Sequence, residues 1–177
     1  MSNIYCTQKL LKRIKLPVEL PDEHATPARL GDWYATAIFW KPQVGLFMST
    51  TTLLPVFVPL APANTVHTRL GQSLLPVLEE INTPQQVIEE ELAALSQLRI
   101  CKTQNRSLLG SQNELVFHAD VRMANHPEFT LSYLSRWLGE MPMKAIGFTS
   151  PLEKCKELLG SEYESVYPFN LKKVTSL

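Results

Sequence analysis

Asp32-Trp33-Tyr34-Ala35-Thr36-Ala37-Ile38-Phe39-Trp40 is aromatic, partly β-branched and free of Gly and Pro, the composition of an extended segment. The Lys41-Pro42-Gln43 turn follows it, then Val44 to Thr50, the polar pair Thr51-Thr52, and Leu53-Leu54-Pro55-Val56-Phe57-Val58. Three strands on connections this short predict an antiparallel meander. Pro55 cannot donate to a strand ladder, so the third strand belongs at a sheet edge or a bulge. Trp33 and Tyr34 must point to opposite faces, and rings in an extended apolar run bury a large area, which favours core positions for them.

Upstream, Ile4 to Thr7 reads as a short strand. Gln8 to Lys15 reads as a short helix with Leu10, Leu11 and Ile14 on one side and Lys9, Lys12, Arg13 and Lys15 largely on the other. A proline-bearing loop, 16–31, joins it to the meander. Downstream, the apolar spacing of Val66, Leu70, Leu74, Val77, Leu78 and Ile81 predicts a helix over 64–81, kinked or broken near Pro76. Thr83, Pro84 and Gln86 predict a capped helix start, with Val87, Ile88, Leu92 and Leu95 buried and Glu79, Glu80, Glu89, Glu90 and Glu91 on an exposed acidic face. A strand over 97–102 and a helix over 107–123 come next, then a Thr130-capped helix ended by Gly139. Last is a helix opened by Ser150, Pro151 and Glu153 and stopped by Gly160. The sum is an α+β fold, a mostly antiparallel sheet packed by several helices, with a core domain over 1–140 and a C-terminal helical appendage over 141–177.

The chain has 177 residues, 17 Lys+Arg and 17 Asp+Glu, so no global field draws or repels nucleic acid, and only a local patch can act that way. Cys6, Cys101 and Cys155 lack metal-type spacing and form an odd set, which fits reduced thiols in a cytoplasmic protein. No secretory signal is evident, and the apolar stretch 53–63 is too short and too proline-rich to span a membrane. The phosphate-loop, dinucleotide, zinc-protease and serine-hydrolase signatures are all missing, so no cofactor and no metal is expected.

The segment richest in chemistry is Lys102-Thr103-Gln104-Asn105-Arg106-Ser107, where a strand gives way to a helix. A helix start offers free N–H groups and the positive end of a dipole. Lys102 and Arg106 add charge, and Thr103, Asn105 and Ser107 add short polar groups suited to a phosphate or carboxylate. The competing reading is a plain cap by Asn105 or Ser107 with solvated cations. Asp32 is a carboxylate that would pair with Lys102 or Arg106 if the two segments met. The basic first helix, with Trp33, Tyr34 and Trp40, offers a local surface for nucleic acid if those rings are exposed rather than core.

Cys6-Thr7-Gln8-Lys9-Leu10, Leu30-Gly31-Asp32-Trp33-Tyr34-Ala35, Thr52-Leu53-Leu54-Pro55-Val56 and the 102–110 stretch with its K-T-x-N-R-S-x-L-G pattern together resemble a family of small bacterial proteins of unknown function. The resemblance runs to about Trp137. It implies that Asp32, Lys102, Thr103, Asn105, Arg106 and Asn113 belong to the family's pattern, and it brings no activity, cofactor or catalytic residue. The expectation is a non-enzymatic binding or regulatory module for a protein partner or an anionic ligand. The alternative is an enzyme acting on phosphate esters or nucleic acid, with Lys102 and Arg106 stabilising charge and Asp32 holding metal or water.

Overall fold

The computed structural model describes residues 1–167. Five strands form one mixed sheet: β1 (Ser2–Cys6), β2 (Trp33–Ile38), β3 (Val44–Ser49), β4 (Pro55–Pro59) and β5 (Leu98–Lys102), in the order β4-β3-β2-β1-β5. The fold is α+β. The meander β2-β3-β4 is antiparallel as its short turns require, with Trp33 opposite Ser49 and Val44 opposite Pro59. β1 and β5 extend it in parallel, Ile4 lying beside Trp33 on one side and Ile100 on the other. β4 is an edge strand that starts and ends with proline, as Pro55 predicts. The outer edge of β5 is partly covered by the 16–31 loop, whose Glu19 N–H donates to Ile100 O at 2.8 Å.

Strand alternation sorts the core into two clusters. Ile4, Cys6, Trp33, Ala35, Phe47, Val56 and Val58 meet α1 (Gln8–Ile14), α2 (Leu70–Glu80), α3 (Gln85–Ala94) and α6 (Pro151–Leu159) on the first face. Tyr34, Ile38, Leu46, Met48 and Phe57 meet α4 (Arg106–Asn125) and α5 (Leu131–Gly139) on the second. Trp33 and Tyr34 are 1% and 2% exposed, so both are core and neither presents a ring to a nucleic acid.

Where the ends of helices are set by local chemistry, they fall as expected. Thr130 Oγ1 accepts from Tyr133 N and Ser150 Oγ from Glu153 N, while Gly160 stops α6 in the left-handed conformation at φ 72°. Gly139 has a different task from the expected stop: it is the last residue of α5, and a Cβ there would lie 2.9 Å from Leu152 Cγ, so it permits the close approach of α6.

Three expectations are corrected. Pro76 does not break its helix, since α2 runs through it; the irregular part is upstream, a 3-10 segment over Ala63–Arg69. Pro76 and Gln72 are both exposed, so the carbonyl that loses its partner faces water. Thr83 does not cap α3, because its hydroxyl is taken up by Ser161 Oγ at 2.8 Å. Glu91 is not on the exposed acidic face. It is 3% exposed, and its two carboxylate oxygens accept from Arg29 N at 2.8 Å and Leu30 N at 3.2 Å, which ties the end of the 16–31 loop to α3.

Residues Leu152, Cys155 and Leu159 of the C-terminal segment are buried in the first cluster. The extended chain after α6 is held by Arg136, whose Nη2 donates to Glu164 O at 2.8 Å, and by Tyr167, whose hydroxyl donates to Trp137 O at 2.9 Å. Residues 168–177 of the expected appendage lie outside the described residues.

Candidate functional site

Parallel strands β1 and β5 lie side by side, yet the helices that follow them leave in opposite directions. α1 follows β1 onto the first face and α4 follows β5 onto the second. In open α/β sheets, a divergence of this kind outside the carboxyl ends of neighbouring parallel strands is where a ligand crevice forms. Lys102, paired with Cys6 at the last rung of the ladder, and the residues up to Ser107 stand at that point.

The geometry assigns each residue a task. Asn105 adopts an extended conformation and its Oδ1 accepts from Leu108 N at 3.1 Å, so it is the N-cap of α4. The Tyr34 hydroxyl, rising from β2, accepts from Gln104 N at 3.3 Å and Asn105 N at 2.8 Å and fixes the approach to the helix. Tyr5 stacks on Tyr34 at 5.2 Å between ring centres, and burial, then nearby Asp32, raises its phenol above the ordinary value, so it is a neutral wall. Thr7 Oγ1 and Thr36 Oγ1 meet at 2.8 Å at the end of β1. With Gln104, Asn105 and Leu108 satisfied, the N–H groups of Arg106 and Ser107 have no acceptor among the described residues. Lys102 and Arg106 are exposed, and neither has a carboxylate within ion-pair distance among the described residues. Thr103 is half-buried beside them and Ser107 exposed. Asn113, also in the expected pattern, is an exposed residue of α4.

Asp32 is not brought to this group. It sits level with Asn3, at the opposite end of the parallel strands, about 10 Å along β1 from the Cys6–Lys102 rung. Its Oδ1 accepts the Asn3 N–H at 2.8 Å and its main-chain oxygen accepts from Thr50 N at 2.9 Å, so it stitches β1 and the end of β3 to the start of β2. The phosphate-ester alternative thereby loses the carboxylate it relied on.

The three thiols are free and buried. Burial pushes Cys6 and Cys155 up to about 12 and Cys101 up to about 11, so at neutral pH all three are protonated and poor nucleophiles. Among the described residues, no group of three or more His, Cys, Asp or Glu side chains is placed to hold a metal ion, and no helix is long and apolar enough to cross a membrane.

Two residues of consequence escape a reading of the sequence. The Tyr34 hydroxyl serves a loop seventy positions away, and nothing local announces it. Phe39, read as part of a strand, lies just past the end of β2 and is 53% exposed.

The protein is thus of the α+β class, with the polar segment 102–107 at the carboxyl end of β5 where α1 and α4 diverge. Residues 3–154 match the model of a family described as Domain of unknown function (DUF6933), and the chain belongs to that family. The match extends past Trp137 into α6. No curated protein and no solved structure matches the chain significantly.

Proposed function

We propose that this protein is a non-enzymatic binding or regulatory module of the bacterial cytoplasm, and that it takes an anionic ligand, or an acidic group of a protein partner, at the carboxyl ends of β1 and β5. The observation that carries this reading is the coincidence of three things at one place: the divergence of α1 and α4, and, among the described residues, the unclaimed N–H groups of Arg106 and Ser107 and the unpaired cations Lys102 and Arg106. An anion there gains hydrogen bonds and charge together, and it displaces no partner among the described residues. Three buried, free thiols suit a reducing compartment.

Thermal unfolding in the presence of tripolyphosphate and of polyglutamate tests the reading. At least one of them should raise the Tm of the wild type. The Lys102→Ala/Arg106→Ala variant should unfold at the wild-type temperature without ligand and lose the shift with it. No shift with either anion, or a shift that survives in the variant, removes this site from the account.

A further inference from the structure

The cations of the crevice do not stand alone. β2 runs parallel to β1 and β5, so the turn after it, Phe39 to Gln43, lies at the same end of the sheet. Lys41 is exposed in that turn. Arg13 of α1 reaches the same turn, donating from Nη2 to Gln43 Oε1 at 2.6 Å and placing its guanidinium 5.9 Å from the centre of the Phe39 ring. Lys9 is exposed in the first turn of α1, directly after β1 ends. Thus β1, β2, β5 and the helices that follow β1 and β5 deliver Lys9, Arg13, Lys41, Lys102 and Arg106 to one end of the molecule. None of the five has an ion-pair partner among the described residues.

Much of the negative charge is placed elsewhere, although Asp22 and Glu23 of the 16–31 loop line a pocket with Arg99 and Gln104. Glu79, Glu80, Glu89 and Glu90 are exposed on α2 and α3, and Glu80 and Glu90 are partly neutralised by Arg136 and Arg29. Glu114 is exposed on α4, and at the rim of the basic end stands Asp120, which accepts the Trp40 indole N–H at 2.8 Å.

A basic surface is read by any polyanion; the aromatic side chains narrow the choice. Phe39 offers a ring more than half exposed, with a guanidinium beside it, and Tyr5 is a half-buried ring beside the crevice. Exposed rings among backbone-neutralising cations suit unpaired bases, which stack, whereas a duplex keeps its base faces covered and an acidic peptide has no planar group to offer. We propose that the ligand of this end of the sheet is single-stranded nucleic acid, its phosphates on Lys102, Arg106 and their neighbours and a base on Phe39. This rests on the reading of the same end as an anion site and names the anion.

Fluorescence anisotropy with a labelled oligouridine, over a range of salt concentrations, tests it. The wild type should bind, with affinity falling steeply as salt rises. Lys102→Ala/Arg106→Ala should make that dependence shallower by about 1.4 in the log–log slope, two phosphate contacts at roughly 0.7 each. Phe39→Ala should weaken binding about fivefold or more at every salt concentration and leave the slope unchanged. Thermal unfolding of each variant at the wild-type temperature shows that the surface alone was altered. Equal affinity for a duplex of the same length, equal affinity for polyglutamate, or binding indifferent to both variants overturns the inference. No binding to oligouridine while tripolyphosphate still raises the Tm overturns the nucleic-acid assignment and leaves the anion site standing; no response to any of these anions removes both.

Discussion

At the scale of single residues, Glu91 shows how a charged side chain can act as a core residue. It occupies positions three and four beyond Ile88 and Val87, on the apolar stripe of α3, where it accepts from the N–H groups of Arg29 and Leu30. That spacing was the signal in the sequence, obscured by membership in an acidic run. Burial raises its pKa above the ordinary carboxylate range, and the two N–H donors only partly oppose it. A carboxyl whose folded pKa exceeds its unfolded one binds its proton more tightly in the native state. Its contribution is therefore complete below the unfolded value and is lost as pH rises through the folded one. Glu91→Gln keeps one acceptor and cannot titrate. Urea unfolding at about pH 4 and about pH 7 should show the wild type losing more stability across that interval than the variant does. An equal loss in both proteins would show that Glu91 does not titrate differently on folding.

At the scale of elements, α4 separates a cap from a ligand site, two roles the sequence left superimposed on 102–107. Asn105 is committed to the cap by its bond to Leu108 N, whereas the side chains of Lys102, Arg106 and Ser107 hold nothing among the described residues. Asn105→Ala should cost about 1 kcal/mol of stability in chemical denaturation. Lys102→Ala/Arg106→Ala should cost close to nothing by the same measure; comparable losses in both would mean that the cations are structural too. The elements legible beforehand share a cause: Ser150, Thr130 and Gly160 act on groups within four residues, so their roles are written locally. The elements misread share the opposite one. Thr83 carries the pattern of a cap, yet Ser161, 78 positions away, claims its hydroxyl. Asp32 is claimed by Asn3, on a strand added in parallel to a meander that alone was readable from its turns. The residues of the crevice were legible as polar and basic; their meeting with Arg13, Lys41 and Phe39 depends on strand order, which no local spacing records.

At the scale of the molecule, the sheet contributes to both clusters, and α6 bears on whether they unfold together. Its Leu152 is fully buried, belongs to the first cluster, and packs on Gly139 of α5, a helix whose Leu134 and Leu138 belong to the second. A C-terminal appendage beginning near residue 141 would be free to detach, whereas a helix buried in the first cluster and packed on Gly139 of α5 is expected to unfold with both. Leu152→Ala deletes buried methyl groups at this junction and should lower stability by about 2–5 kcal/mol. Tryptophan reports on both clusters: Trp33 lies in the first, and Trp40 and Trp137 pack against the second. Fluorescence and far-UV circular dichroism should therefore give one transition, shifted to lower denaturant in the variant with the same slope for both signals. Two transitions, with the mutation moving one of them, would show that the C-terminal segment is a separate unit and that the crevice is held by residues 1–140 alone.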